Sequence, residues 1–253
     1  MRLKLGIVTY NIAKDWNLDT IINKCSELDY GGIELRTTHR HGVEVSLSKA
    51  ERQKIKKKLE DSSVKLVGLG STFEYHSSVR EELRKNIEGT KEYVRLAYDV
   101  GAEGIKVRPN AFPKEISREK IIEQIGLSLR ECGKFARDYA IKIRLEVHGI
   151  QTCFVPYIKQ MIDICDNSNV YVCWNSNLTD MDESGSIKDN FNLAKDRIDT
   201  VHISELWTEY PYGELFSLLK DMKYKGFCLA EIPENPDPDR ILRYYKKLFN
   251  CLQ

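Results

Sequence analysis

The sequence predicts an α/β protein folded as a single (β/α)8 barrel, with residues 1–253 forming one domain. Short apolar runs of strand length alternate eight times with segments whose apolar residues recur at helical spacing. Such alternation is typical of parallel strands joined by right-handed crossover helices, and about 250 residues is a usual length for one closed barrel. An open doubly wound sheet is the alternative architecture. A nucleotide-binding sheet of that kind is disfavoured, because no G-x-G-x-x-G motif follows the first strand.

The predicted strands and helices follow one another in a regular order. Strands are expected over residues 3–9, 33–35, 64–69, 104–107, 144–147, 170–174, 198–203 and 226–232. Helices are expected over residues 17–28, 47–61, 79–100, 117–139, 155–165, 189–195, 212–222 and 237–252. Ser46 or Ser48 suits the N-cap of the second helix, and Ser117 suits that of the fourth. Residues 70–76 are predicted to form a polar and aromatic loop after the third strand.

Polar residues stand where several predicted strands end. In a barrel of this kind the carboxyl ends of all strands converge on one mouth, so residues far apart in sequence can contact one bound molecule. The polar residues at these ends are Arg36, Lys106, Arg108, Glu146, His148, Asn175, His202 and Glu231. A charge at the end of a buried strand needs a partner or a metal, since leaving it unpaired costs several kcal/mol. Two carboxylates, an imidazole and an amide oxygen suit Mn²⁺ or Mg²⁺, with Zn²⁺ or Co²⁺ as alternatives.

The motifs around these residues resemble those of a known group of barrels. Glu146 in LEVHG, Asn175 in CWNSN, His202 in VHISE and Glu231 in AEIPEN are similar to the metal positions on strands 5 to 8 of the xylose isomerase-like TIM barrel superfamily. The opening LGIVTY, the GGIELR of the second strand and the last helix fit the same group. The resemblance implies that Glu146 and Glu231 bind a divalent metal and move a proton. It also implies that Asn175 and His202 complete the coordination.

Two departures from the family pattern concern the metal. The usual Asp on strand 6 is Asn175 here, which removes one negative charge and is expected to weaken metal binding. Asn177, two residues later, is a candidate to substitute in part for that Asp, and the family's His three residues after the Asp is Leu178 here. A weakly metallated or metal-free site is therefore an alternative.

Further residues are candidates for holding substrate. Lys106 and Arg108 are two residues apart and so share one face of their strand, and Arg36 follows the second strand. These cations suit a carboxylate, a phosphate or sugar hydroxyls. His148 is expected to orient a ligand or substrate, and Trp174 to stack on a sugar ring. As an alternative to metal binding, Glu146 and Glu231 could cap a barrel loop or pair with Lys106 or Arg108.

The resemblance implies a sugar, or sugar phosphate, isomerase or epimerase. A bound metal would polarise a carbonyl and its neighbouring hydroxyl, while one carboxylate removes a carbon-bound proton to give an enediolate and a second acid returns it. A lyase or dehydratase of a keto-sugar or keto-glycoside, similar to inosose dehydratase, would use the same site. A carbohydrate-binding barrel without catalysis is the third alternative, and Asn175 is the feature in its favour.

Composition indicates the kind of partner. The net charge is +1, so the chain has no sequence-wide field for nucleic acid or an anionic membrane surface. Its five histidines are too few for the several zinc ions of endonuclease IV relatives. The seven cysteines form no C-x-x-C pair, and no signal sequence or membrane-spanning run is recognisable, which favours the cytoplasm. We therefore expect a small sugar or polyol as partner. A homo-oligomer is left open.

Overall fold

Strands and helices alternate through residues 2–253, the part of the chain described by this computed structural model, which leaves Met1 of the predicted domain outside it. The strands, β1 to β8, are Lys4–Val8, Gly32–Arg36, Lys65–Glu74, Gly104–Arg108, Lys142–Glu146, Val170–Trp174, Ile198–Ile203 and Phe227–Ala230. The helices, α1 to α8, are Leu18–Leu28, Lys49–Glu60, Arg80–Val100, Arg118–Arg137, Val155–Cys165, Lys188–Ala194, Tyr212–Asp221 and Pro238–Leu252. Two short 3-10 turns, Leu178–Asp180 and Lys195–Arg197, flank α6.

The strands form a closed parallel barrel in sequence order. Each strand pairs with its neighbours along the chain, and β1 pairs with β8, where Gly6 is in register with Leu229. The predicted (β/α)8 barrel is therefore confirmed, and the open sheet is excluded. No helix within residues 2–253 has the length and apolar character needed to span a membrane.

The largest departure from the predicted elements is β3. It runs to Glu74, through residues that were predicted to be a loop. Gly70 pairs with Lys106 and Glu74 with Arg108, and the register shifts between these two pairs. The irregular pairing explains the error, because a bulged strand loses the period-two pattern by which strands are recognised.

Most helix boundaries follow local capping chemistry. Ser48 caps α2 in a reciprocal box with Glu51, and Ser117 accepts a hydrogen bond from the backbone N–H of Lys120 at the start of α4. Between the two serines considered for α2, the structure thus selects Ser48. Helix α4 ends at Arg137, two residues before its predicted end. The helices bury one apolar face against the barrel. In α1, Ile21 and Ile22 lie on this face, together with the apolar residues three or four positions before and after them.

The interior of the barrel is partly polar, and this determines where chemistry can take place. Near the amino ends of the strands, the fully buried Arg144 donates to Asp199 Oδ2 and to the carbonyl oxygen of Val67, each at 2.7 Å. Glu146 lies two residues later on the same strand, and its side chain therefore points to the same side, nearer the carboxyl ends. The buried charges thus continue from the barrel floor toward the mouth.

Candidate functional site

Three predicted ligand residues meet inside the mouth of the barrel. Glu146 ends β5, His202 lies in β7 and Glu231 follows β8, and one ligand atom from each lies within 4.8 Å of the others. The Nδ1 atom of His202 is 3.3 Å from Glu146 Oε1 and 3.3 Å from Glu231 Oε2. The parallel barrel produces this convergence, because it brings the carboxyl ends of distant strands together.

The donor set fits a divalent cation. His202 is fully buried, and neither ring nitrogen has a hydrogen-bond partner among the described residues. Two carboxylate oxygens and an imidazole nitrogen facing one point are ligands that Mn²⁺, Co²⁺ and Zn²⁺ accept. Glu146, His202 and Glu231 are therefore the residues that could hold a metal.

Lys106 lies against this cluster. Its ammonium is 2.6 Å from Glu146 Oε2, and both side chains are nearly inaccessible to solvent. Burial opposes ionisation of Glu146, but the charges of Lys106 and His202 outweigh it and hold the pKa of the carboxyl below its ordinary value. Burial also opposes the charged form of Lys106. The nearby carboxylates of Glu146, Glu34 and Glu231 outweigh burial, so the pKa of Lys106 lies above its ordinary value. The pairing of Lys106 with Glu146, left open by the sequence, is the arrangement that the structure contains.

Glu34 is a member of this cluster that sequence analysis missed. It lies in the middle of β2, is fully buried, and places Oε1 3.3 Å from His202 Nε2. Burial opposes its ionisation, while His202 and Lys106 together lower the pKa of Glu34 below its ordinary value. The signal was present in the sequence, because Glu34 lies two residues before Arg36, a predicted mouth residue, and residues two apart in a strand point to the same side.

Asn175 and Asn177 make different contacts from those expected of metal ligands. Asn175 donates from Nδ2 to Glu146 Oε1 at 3.4 Å, and its Oδ1 accepts the backbone N–H of Ser176 at 2.9 Å. Asn175 therefore contacts the predicted site through its amide nitrogen. Asn177 donates from Nδ2 to the carbonyl oxygen of Val147 at 2.7 Å, and this contact supports the loop after β6.

The remaining polar candidates lie higher on the rim. Arg108 pairs with the carboxylate of Glu74. Arg36 donates to the carbonyl oxygen of Thr37 at 2.9 Å, and its guanidinium lies 5.7 Å from the ring centre of Tyr10. His148 is half-buried, and its Nδ1 has no hydrogen-bond partner within residues 2–253.

Trp174 does not line the mouth, which corrects the expectation that it stacks on a sugar. It is fully buried, its ring packs against Phe191, and Nε1 donates to the hydroxyl of Tyr210 at 3.0 Å. Successive side chains along a strand point to opposite faces. Because Asn175 faces the mouth, Trp174 faces the helix layer. No surface of the indole is left for a ligand.

A pocket of about 360 Å³ opens beside the candidate ligands. Its wall comes from the loops after β1, β7 and β8 and includes Tyr10, Ser204, Glu205, Thr208 and Glu231. This volume is within the range of small-molecule sites. The Glu231 side chain is 23% exposed, so it faces both the pocket and His202. A small molecule in this pocket would lie directly beside the glutamate.

Comparisons with known proteins give the family and the fold. The chain matches the family described as xylose isomerase-like TIM barrel over residues 22–248. A search of curated proteins gives no significant match. Solved structures, in contrast, share the fold over nearly their full length.

Three of these structures illustrate the range of proteins that share the fold. A D-psicose 3-epimerase, solved in the presence of D-fructose, is 16% identical, with a TM-score of 0.82 and 99% of each chain covered. The probable 3-DHS dehydratase AsbF of Bacillus anthracis is 16% identical, with a TM-score of 0.76, covering 98% of this chain and 99% of that one. The IOLI protein, solved with a bound zinc atom, is 15% identical, with a TM-score of 0.79, and the match covers 99% of this chain and 96% of that one. The family match over most of the chain, together with the closed eight-stranded barrel, makes this protein a member of the xylose isomerase-like TIM barrel family.

Proposed function

We propose that the protein is a sugar isomerase or epimerase that transfers a proton at a carbon next to a carbonyl. The observation that carries the proposal is the convergence of Glu146, His202 and Glu231 beside a pocket of about 360 Å³. Two carboxylates on different sides of a bound sugar are the groups that such a reaction needs, because one removes a proton and the other returns it.

The two glutamates have different surroundings, which suits different roles. Glu146 is buried and held ionised beside Lys106, so it is the carboxyl group that starts without a proton. Glu231 is partly exposed to the pocket, where it can exchange a proton with substrate and then with water. Return of the proton to the opposite face of the same carbon gives epimerisation. Return to the neighbouring carbon gives isomerisation.

We further propose that Glu146, His202 and Glu231 hold a divalent cation. When bound, the cation would act as a Lewis acid that makes the carbon-bound proton of the substrate more acidic. Asn175 supplies no charge to this site and faces it through its amide nitrogen, which supports weaker binding than an aspartate would give. Among the similar structures, the IOLI protein holds a zinc atom.

The substrate in this proposal is a small sugar or polyol, as the name of the similar D-psicose 3-epimerase suggests. Arg36, Arg108 and His148 stand on the rim, where they could contact its hydroxyl groups. The seven cysteines are free thiols, which suits a reducing compartment, and we include a cytoplasmic location in the proposal.

A dehydratase is the second candidate, and the similarity to AsbF favours it. The first step would be the same removal of a proton next to a carbonyl. The outcome differs when a hydroxyl group on the next carbon leaves as water. The two reactions give different products, because one leaves an epimer or isomer and the other a dehydrated sugar. Analysis of the products therefore separates them.

Solvent exchange tests the proposal. The purified protein, loaded with Mn²⁺, is incubated in D₂O with candidate ketoses and keto-glycosides, and deuterium at carbon is followed by NMR. We expect incorporation with at least one sugar, and a new epimer, isomer or dehydrated product. Glu231→Gln should abolish incorporation, whereas Glu209→Gln, an exposed control on the same face, should not. Binding of a sugar without any exchange would contradict the enzymatic proposal and favour a carbohydrate-binding barrel.

A further inference from the structure

The position of Glu34 cannot be explained by packing. Its carboxylate lies inside the barrel, yet neither oxygen has a hydrogen-bond partner of good geometry among the described residues. A buried carboxylate without compensation costs several kcal/mol. A glutamate at this position therefore requires a compensating charge or a partner that is completed when the site is in use.

The barrel makes room for this carboxylate with a glycine of β3. A Cβ atom at Gly70 would lie 2.9 Å from Glu34 Oε1, which is closer than real Cβ contacts come. Any larger residue at Gly70 would push the carboxylate away from its place. The neighbouring strand is thus shaped around the carboxyl group of Glu34.

The Glu34 carboxylate lies in ion-pair distance of a candidate metal ligand. Its Oε1 is 3.3 Å from His202 Nε2, while Nδ1 on the other side of the ring faces Glu146 and Glu231. Histidines that bind metals usually donate the N–H of their second nitrogen to a carboxylate, which determines the tautomer and the ring orientation. Glu34 is the carboxylate on the far side of His202.

The charges of the cluster agree with this role. Glu34, Glu146 and Glu231 are three carboxylates, and Lys106 is the one ammonium among them. An imidazole that binds a metal is neutral, so in the metal-bound state the group carries two negative charges in excess, which a divalent cation balances. Replacing Glu34 by a neutral residue would leave that balance incomplete.

We propose that Glu34 is a positioning residue of the cation site, which accepts the Nε2–H of His202 and so presents the unprotonated Nδ1 to a divalent cation. The inference rests on the proposed metal site and extends it by one residue that does not touch the metal. Its consequence is that metal affinity depends on a side chain at the opposite edge of the imidazole.

Metal titration of Glu34→Gln tests the inference. Gln has the same shape as Glu but removes the charge, so Mn²⁺ and Co²⁺ should bind about 10- to 100-fold more weakly than to the wild type. Glu103→Gln removes a carboxylate from the amino end of the barrel, where it pairs with Lys65, and should leave the affinity unchanged. Affinity of Glu34→Gln within twofold of the wild type would overturn the inference while leaving the proposed function intact. A wild-type protein that binds neither ion would overturn the inference together with the proposed cation site, whereas the proton transfer of the proposed function is tested separately by deuterium exchange.

A nitrogen NMR measurement keeps the inference testable if Glu34→Gln does not fold. The ring nitrogens of His202, assigned through His202→Gln, are followed in the wild type loaded with Zn²⁺. We expect Nε2 to carry the proton and Nδ1 to show the shift of a metal-bound nitrogen. A proton on Nδ1, or metal bound at Nε2, would overturn the inference even where the metal binds tightly.

Discussion

The two carboxylate oxygens of Glu146 have different partners, because Oε2 accepts from the Lys106 ammonium at 2.6 Å and Oε1 faces His202 Nδ1 at 3.3 Å. The lysine therefore occupies one side of the carboxylate and leaves the other for the cluster. Since both side chains are buried, this contact fixes the direction in which Glu146 points. The pair thus links the stability of the barrel interior to the geometry of the candidate site.

Breaking this pair should destabilise the protein. Lys106→Met leaves the Glu146 carboxylate buried without its ammonium, and we expect a loss of about 3–5 kcal/mol in the free energy of unfolding. Lys106→Met with Glu146→Gln should recover most of that loss, because the uncompensated charge is gone. Urea unfolding of the two single variants and the double variant measures the coupling. Additive effects would contradict a direct pairing of the two residues.

Both candidate proton carriers, Glu146 and Glu231, should be needed for deuterium exchange. Glu146→Gln and Glu231→Gln each remove a carboxylate without changing its size, and we expect at least about a 100-fold loss of deuterium incorporation into the sugar. Far-ultraviolet circular dichroism should be unchanged for Glu231→Gln, since its side chain is partly exposed. A variant that keeps normal exchange would show that the replaced glutamate does not carry the proton.

Asn175→Asp should tighten metal binding. The new carboxylate would stand where the Asn175 amide now contacts Glu146 Oε1 at 3.4 Å, and the added charge should raise affinity for Mn²⁺ at least about tenfold. Asn177→Asp serves as the control, because that side chain is bound to the carbonyl oxygen of Val147 and should not raise the affinity. An unchanged affinity of Asn175→Asp, measured by competition with a coloured chelator, would place residue 175 outside the coordination sphere.

Asp180 should make stability depend on pH. It is fully buried after β6, where it accepts from the Asn177 backbone N–H and the Tyr210 hydroxyl, and burial raises the pKa of its carboxyl to about 7. Because this pKa lies above the ordinary value of 3.8, the folded state keeps a proton that the unfolded state loses. Stability from this group is thus complete below about pH 4 and falls as the pH rises to about 7.

Asp180→Asn cannot ionise and should escape this loss. Between pH 4 and pH 8, the free energy of unfolding of the variant relative to the wild type should rise by about 1–4 kcal/mol. Urea unfolding of both proteins across that range measures the difference, in which the contributions of other titrating groups cancel. Parallel profiles would contradict a raised pKa for Asp180.

Trp174 should affect stability and leave substrate binding alone. Trp174→Phe removes the hydrogen bond to Tyr210 and part of the packing against Phe191, so we expect a loss of at least about 1 kcal/mol in stability. The sugar concentration that gives half-maximal exchange should stay the same, because the indole does not reach the pocket. A several-fold rise in that concentration without a loss of stability would restore the stacking role.

Much of the candidate site could be predicted because a barrel simplifies the geometry. Glu146, His202 and Glu231 each lie at or near the carboxyl end of a strand, and parallel strands in one closed barrel place those ends at one mouth. Trp174 and Glu34 are the two exceptions, an aromatic residue that does not reach the mouth and a buried carboxylate that does. The alternation of side chains along β2 and β6 would have turned the indole outward and the carboxylate inward.

The sequence by itself determined the order of strands and helices, the closure into one barrel and the strand ends that carry Glu146, His202 and Glu231, because these follow from the periodicity of apolar residues. Only the tertiary structure decided which atoms meet, such as Lys106 with Glu146, Glu34 with the far side of His202, and the amide nitrogen of Asn175 with a carboxylate. These contacts depend on strand register and side-chain rotamers around a closed ring. Spacing along the chain contains no record of either.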